Sequence, residues 1–395
     1  MFRLILSYYL LFLAQLSLST NLSTLRLVNV LWRHGDRSPV MAFPTDPNTA
    51  SSWPQGFGYL SEIGIRQHYH LGKYLRDRYD GYLNKTFLQS EIYINSSNVD
   101  RCLMSAYSNM AGLFPPYGWQ EWKENLTWQP IPVHTIPEPL DNMLAIQADC
   151  PKYTQLYQKS LKSAEVLKEE NENKDFYAFV SKMSGVKHEA INNIWAIADS
   201  LFCEKNHNKT WAPWVNETIY QKLLRLETWG FELLFKGPIE SRLKGGKFID
   251  NMQAKVMKAT TSFSQKVMFY SGHDTTVAAL LNALQVFNKI SPPYTAAVIM
   301  ELHEKNNNYS VNLFYKNNTY PEPTSLHKLS IPDCQFDCPL DQFIKLTKDR
   351  VPVDWHAECR IDDPNSPNSA NISNGGLFKI CLSFLLYICL YYNSV

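Results

Sequence analysis

Leu25 to Trp32 (LRLVNVLW) is an unbroken aliphatic and β-branched run, the pattern of a buried strand. It leads straight into Arg33-His34-Gly35-Asp36-Arg37. Three charged groups and an ionisable ring are costly to crowd at the end of such a strand, because a buried unpaired charge costs several kcal/mol, roughly. The plan recurs twice. Glu91 to Asn95 (EIYIN) reads as a strand, Ser96-Ser97-Asn98 as turn and helix cap, and Asp100 to Leu113 as a helix carrying Arg101 near its start. Lys266 to Tyr270 (KVMFY) runs into Ser271-Gly272-His273-Asp274 and then a helix over Thr275 to Val286. In open α/β sheets ligands bind at the carboxyl ends of strands, so these three charged turns are expected to converge.

The rest of the chain fits an α/β core with an insertion. Met41 to Gly58 is a loop rich in proline, glycine and asparagine breakers. Ser61 to Tyr82 has apolar side chains at helical spacing, Ile65, Leu71, Leu75 and Tyr79 among them, with a charged outer face. Ala296 to His303 and Tyr309 to Tyr315 read as two strands joined by an asparagine-rich turn. Between residues 137 and 240 strand character disappears, and stretches such as Tyr157 to Glu170 and His188 to Phe202 have helical periodicity. The expected architecture is a mixed sheet flanked by helices, formed by 20–136 and 241–360, with a mainly helical cap inserted at 137–240. At 395 residues the chain is long enough for this.

Charge is nearly balanced, 38 basic against 37 acidic side chains, which argues against a protein that coats nucleic acid. The local imbalance is what counts. Arg33, Arg37 and Arg101 with His34 and His273 would make one cationic hollow, and the planar guanidinium fork matches phosphate oxygens as lysine does not. Any one of these residues alone is better read as a salt-bridged or packed core group; all of them at strand ends are not. The site wants a dianion. Other phosphate chemistries are absent: no Cys-x5-Arg occurs, and Gly245-Gly246-Lys247 is followed by Phe248, so no phosphate-binding glycine loop forms there. His68 and His70 stand two apart on a helix and point to different sides, which favours a structural role over metal binding.

Both termini suggest secretory routing. Arg3 precedes the apolar stretch Leu4 to Leu16, and Ser17-Leu18-Ser19 gives small residues at a cleavage point, so 1–19 is expected to be a signal peptide, with a signal anchor as the alternative. Nine Asn-x-Ser/Thr sequons occur; Asn84, Asn125, Asn208, Asn216, Asn308 and Asn317 are the glycosylation candidates, Asn21 and Asn371 flank the core, and Asn95 lies within a strand where a glycan would be awkward. Cys102, Cys150, Cys203, Cys334, Cys338 and Cys359 precede the C-terminal tail; disulfides are the default in that compartment, and spacing alone does not give their connectivity. After a linker at 361–379, Ile380 to Tyr392 is apolar but short for a bilayer-spanning helix, and no lysine or arginine follows it. Small residues at Asn368-Ser369-Ala370 and a polar spacer favour a glycolipid-anchor signal over a tail-anchor helix.

Arg33-His34-Gly35-Asp36-Arg37-Ser38-Pro39 resembles the signature of the histidine acid phosphatases, and Ser271-Gly272-His273-Asp274 is similar to their distal His-Asp motif. The likeness runs from about Leu25 to Cys359 and includes Ser52 to Gly58 (SWPQGFG), Val99-Asp100-Arg101 and Gln129 to His134 (QPIPVH). It implies a core like that of the phosphoglycerate mutases. It also implies roles: His34 as nucleophile giving a phosphohistidine, Arg33, Arg37, Arg101 and His273 as phosphate ligands, and Asp274 as proton donor. Asp36, which would repel phosphate, is assigned to fixing the arginines and the loop. Asp274 would have to be protonated in the free enzyme, giving an acid optimum. No cofactor or metal is expected, since the arginines supply the charge a metal would. The resemblance further implies disulfides Cys150–Cys359 and Cys334–Cys338, leaves Cys102 and Cys203 without assigned partners, and makes a homodimer the expectation by analogy. Expected substrates are small phosphomonoesters, with phosphoproteins and phospholipids in the same chemical class; an extracellular, cell-surface or lysosomal location follows. The rival readings are a mutase, a phytase with added basic residues at its mouth, and a catalytically inert surface protein that binds phosphorylated ligands.

Overall fold

The computed structural model describes residues 22–145, 147–186, 190–262, 265–320 and 326–361. The expected signal peptide, the linker from 362, the apolar tail, Asn21 and Asn371 lie outside them.

Strand β1 (Leu25–Arg33) is buried along its whole length except at Arg26. Helix α1 (Glu62–Arg78) starts at Ser61, whose side chain accepts a hydrogen bond from the Gly64 N–H. Leu71, Leu75 and Tyr79 are buried as the periodicity requires, but Ile65 is exposed and the helix stops four residues short of Tyr82, in a turn with Gly81 at φ +85°. Strand β2 (Ile92–Ser97) also departs from expectation. Ser96 and Ser97 continue the strand instead of turning, because both pair with a short third strand, β3 (His134–Ile136). Val99 then takes the N-cap position of α2 (Asp100–Leu113), without a side-chain cap.

Helices follow in succession: α3 (Pro151–Leu161), α4 (Ala164–Glu172), α5 (Lys174–Ser184), α6 (Trp195–Asn206) and α7 (Glu217–Leu233). The periodic stretch 157–170 is thus two helices, parted at Ser163, which caps the second. Their apolar faces form a cluster of their own, joined by Phe43 from the loop after β1. Helix α8 (Pro238–Thr261) returns to the sheet and packs on α9 (Asp274–Ala283), which follows strand β4 (Val267–Gly272). Strands β5 (Ala297–Lys305) and β6 (Asn308–Lys316) form a hairpin whose turn residues Asn306 and Asn307 both have positive φ, the conformation asparagine tolerates best after glycine. Strand β7 (Leu326–Leu329), strand β8 (Cys338–Pro339), α10 (Leu340–Thr347) and α11 (Trp355–Glu358) complete the chain to Cys359. Cys150 is bonded to Cys359 and Cys334 to Cys338, while Cys102 and Cys203 are buried and have no disulfide partner among the described residues.

The sheet is mixed and runs in the order β3-β2-β4-β1-β5-β6-β7, with β8 on β6. Its parallel centre decides where the site lies. Register sets Ser96 beside Ser271, Trp32 beside Ser271 and Arg33 beside Gly272, so β2, β4 and β1 end abreast. The three charged turns leave from that edge side by side. On one face α1 and α2 press together through a reciprocal glycine contact: a Cβ on Gly72 would fall 2.0 Å from the Asn109 carbonyl oxygen, and one on Gly112 2.1 Å from that of Tyr69. The six candidate sequons Asn84, Asn125, Asn208, Asn216, Asn308 and Asn317 are exposed, whereas Asn95 is buried in β2. Gly112→Ala should lower unfolding free energy by about 3 kcal/mol in denaturant titration, through overpacking against backbone that cannot move aside; a loss under about 0.5 kcal/mol would show that the two helices can part.

Candidate active site

His34 follows β1 directly and is fixed by its own backbone, the N–H donating to the Gly272 carbonyl at 2.9 Å. Its ring is 1% exposed. Nδ1 lies 2.8 Å from the Gly35 carbonyl oxygen, a pure acceptor, so Nδ1 carries the proton and Nε2 keeps its lone pair. Burial, then the charges of Arg101, Arg33 and Arg37 and the neighbouring His273, hold the imidazole well below its usual pKa. Both influences favour the neutral imidazole over the imidazolium. Gly35 has no room for a side chain, since a Cβ would lie 2.6 Å from the Gly64 carbonyl oxygen, and this lets α1 start against the signature.

The three arginines are anchored through their terminal nitrogens. Arg33 donates to the Pro292 carbonyl at 2.7 Å, pairs with Asp274 at 2.9 Å and lies over the Tyr294 ring. Arg37 makes a two-pronged pair with Asp199 of α6, both bonds 2.9 Å. Arg101 reaches the Gly58 carbonyl at 3.4 Å and Nδ1 of His273 at 3.4 Å. In each guanidinium Nε is buried without a hydrogen-bond partner. Burial and the charge of Arg37 pull the pKa of Arg101 down, whereas Asp199 outweighs burial and raises that of Arg37.

His273 stands at the N-cap of α9 with Nε2 3.1 Å from the Ser97 hydroxyl. Burial, then Arg101, bring its pKa down to about 3. Its ring meets that of His34 edge to face with centroids 5.6 Å apart. Asp274, one residue on, feels opposing influences. Burial pushes its carboxyl up, but Arg33, Arg37 and His273 outweigh it, and the group is held below the usual aspartate value. So His34, Arg33, Arg37, Arg101, His273 and Asp274 are all within one constellation.

The residues missed from sequence come from the inserted helices. Asp199 neutralises Arg37, so the hollow is less cationic than the signature suggests. Glu227 of α7 interacts with Asp274, Asp199 and Arg33; burial and the two carboxylates push its carboxyl up to about 7. Cys203 sits 3.6 Å from Arg37, and Cys102 packs 3.6 Å from Nε2 of His273; burial raises both thiols. Nothing in a lone Asp199 or Glu227 marks it in sequence; only α6 lying against the signature does so. Asp36 corrects an expectation too. Its Oδ1 accepts from the Ser61 hydroxyl at 2.5 Å and from His207 Nε2 at 2.6 Å, so it fixes the loop, while the partner of Arg37 is Asp199. His68 is buried with Nε2 3.1 Å from the Arg33 carbonyl, and His70 is exposed. Among the described residues no group of three His, Cys, Asp or Glu side chains could hold a metal ion.

A buried histidine with a free Nε2 among three arginines and a neighbouring aspartate defines a phosphate-handling class. Residues 24–316 match the histidine phosphatase superfamily (branch 2), and the chain belongs to that family. It is 40% identical to lysosomal acid phosphatase of Homo sapiens over 348 residues, 87% of this chain and 82% of that protein. It is 42% identical to prostatic acid phosphatase of Homo sapiens over 341 residues, 85% of this chain and 88% of that one. The fold resembles that of the phytase from Citrobacter braakii (TM-score 0.63, 16% identity, 86% of this chain and 100% of that one). Hafnia alvei phytase in complex with tartrate gives a TM-score of 0.63 at 19% identity, covering 86% of this chain and 98% of that one.

Asp199→Ala strips Arg37 of its charge partner in a setting where the two side chains are only 8% and 15% exposed. Stability should fall by about 3–5 kcal/mol in denaturant titration. A loss below about 1 kcal/mol would mean that solvent satisfies Arg37.

Proposed function

We propose that this chain is an acid phosphatase that hydrolyses phosphate monoesters through a phosphohistidine on His34, with Asp274 as proton donor. The observation that carries the reading is the state of His34: neutral, with Nδ1–H given to the Gly35 carbonyl and Nε2 unprotonated beside three arginines. Nε2 attacks phosphorus in line and the P–O bond to the leaving group breaks. Arg33, Arg37 and Arg101 stabilise the equatorial oxygens, where transition-state charge is spread. In the free protein Arg101 can only donate to Nδ1 of His273, so Nε2 carries the proton and gives it to the Ser97 hydroxyl, and His273 turns donor to phosphate when the ester displaces one of these contacts. Asp274 protonates the departing alkoxide, then takes a proton from the water that hydrolyses the phosphoenzyme.

One expectation needs revision. In the free protein Asp274 is an ionised carboxylate held by Arg33, not a carboxylic acid. The proton therefore arrives with the substrate. A bound phosphate competes for Arg33 and adds negative charge beside Asp274, and both changes raise the carboxyl pKa above its depressed free value. Proton uptake on binding favours the productive complex as pH falls, while burial and the arginines oppose protonation of His34. Calorimetric titration of sulfate, a dianion at pH 5 that brings no proton of its own, in buffers of differing ionisation enthalpy should show net proton uptake by the wild type and less by Asp274→Asn. Release of protons would refute this account. Turnover should peak on the acid side of neutrality; an optimum above about pH 8 would count against Asp274 as the acid.

The helices at 137–240 act as a cap in this reading. They supply Asp199 and Glu227 near the phosphate, which disfavours a polyanionic inositol phosphate and favours single phosphomonoesters, phosphoproteins and phospholipids included. No cofactor is required, and a chelator should leave turnover unchanged. The expected signal sequence, the exposed sequons and the paired cysteines support a secretory route, extracellular, cell-surface or lysosomal, with a tether supplied by the C-terminal tail. No described helix is long and apolar enough to cross a membrane. A homodimer is the assembly by analogy with relatives; the edge strand β3 and the exposed Trp119 and Trp122 offer a surface for it. The decisive experiment mixes enzyme with labelled phosphomonoester and quenches in alkali: label should stay on the peptide containing His34 and vanish in His34→Ala. Label on serine would overturn the mechanism, and a folded wild type without turnover would favour the inert binding protein.

A further inference from the structure

One buried pair of acids plays no part in the chemistry above. Glu204, on α6, is fully buried, and neither of its carboxyl oxygens has a hydrogen-bond partner. It meets the carboxyl of Asp46, 8% exposed, whose Oδ2 also lacks a partner. We propose that Asp46 and Glu204 share a single proton, and that this makes Glu204 a positioning residue, fastening the segment that follows the signature to α6 under acidic conditions.

Two ionised carboxylates in contact in a dry setting repel strongly, whereas one proton between them makes an O–H···O bond that satisfies both. The charges facing the pair are few. Glu204 meets Asp46 and, more distantly, Lys209, whose ammonium is already given to the Ser52 carbonyl at 2.7 Å and lies over the Trp53 ring. Asn48 stands beside both acids; its backbone N–H goes to Asp46 Oδ1 and an amide hydrogen to the Thr210 carbonyl. Burial, then contact with Asp46, push Glu204 up to about 8, and burial raises Asp46 as well.

The pair is one stitch in a seam. Thr45 donates to the carbonyls of Ser184 and Met183, Ser200 to that of Met41, and Val40 N–H reaches Asp199. The same helix holds Arg37 through Asp199 and Asp36 through His207, and the stitched segment ends at Gly58, which receives Arg101. Loss of the proton therefore loosens the seam beside two phosphate ligands. The sign is fixed: a carboxyl whose folded pKa is raised contributes most at low pH, and that contribution drains away between the usual carboxylate range and about 8.

The experiment follows unfolding equilibria of the full glycosylated chain from pH 4.5 to 8.5 for wild type, E204Q and D46N. The amide in either variant keeps a hydrogen bond but cannot titrate. The wild-type folding constant should fall relative to each variant by up to about tenfold per pH unit across that window; parallel curves would overturn the shared proton. D46N serves if E204Q fails to fold. Added calcium chloride that stabilises wild type alone would overturn it too, by showing a cation where the proton is placed. Only the activity arm rests on the phosphatase reading: the ratio of kcat/KM at pH 7.5 to that at pH 5 should rise about threefold in E204Q. An unmoved ratio with the folding signature present would overturn the positioning role. Intact folding behaviour in proteins that never hydrolyse an aryl phosphate would indict the phosphatase reading instead.

Discussion

Two carboxylates make this site possible. Three guanidinium groups and two histidines at adjoining strand ends could not be buried together unopposed, since each uncompensated charge costs several kcal/mol, roughly. Asp274 offsets Arg33 from within the same turn as His273, and Asp199 offsets Arg37 from a helix more than 160 residues further along the chain. Among the described residues Arg101 has no ion-pair carboxylate of its own, and burial with the charge of Arg37 lowers its pKa. The residual positive field falls on His34, which answers by staying neutral. The buried histidine and the arginines around it are therefore one electrostatic arrangement.

That arrangement explains what the sequence discloses and what it hides. Strand β1 was legible because a strand buried almost throughout reads as an unbroken apolar run, and the β5–β6 hairpin because its asparagine-rich turn stands between two such runs. The convergence of Arg33, Arg101 and His273 followed from one rule, that parallel strands end at a common edge, and the register of Arg33 with Gly272 and Ser96 with Ser271 is its physical form. Strand β3 was invisible: three exposed residues between prolines carry no period, and only pairing with Ser96 and Ser97 makes them a strand. Asp199, Glu204 and His207 were hidden for another reason. Their partners lie on the loop from Asp36 to Asp46, and nothing local in a helix of mixed polarity reports what it will dock against.

The helices between β3 and β4 accordingly help to hold the charged signature in place. One face of α6 presents Asp199, Cys203 and His207 at successive turns, the spacing that puts side chains on a single stripe. Arg37 and Asp36 both dock on that stripe. A signature of five residues is held from two sides, by the sheet through the backbone and by α6 through side chains.

Holding the arginines with acids has a catalytic reason beyond solubility of charge. Product phosphate and the transition state present similar oxygens to the same clamp, and an enzyme gains only from binding the transition state more tightly than the product. Three unopposed arginines would grip inorganic phosphate and stall turnover. With Asp199 and Asp274 competing for the guanidinium nitrogens, the departing phosphate is replaced by carboxylates already in place, so its release leaves no naked charge behind. The ionised state of Asp274 in the free protein is then the resting half of a cycle. In the proposed reaction it clamps Arg33 when the site is open, would yield it to phosphate on binding, and would carry a proton only while the ester is bound.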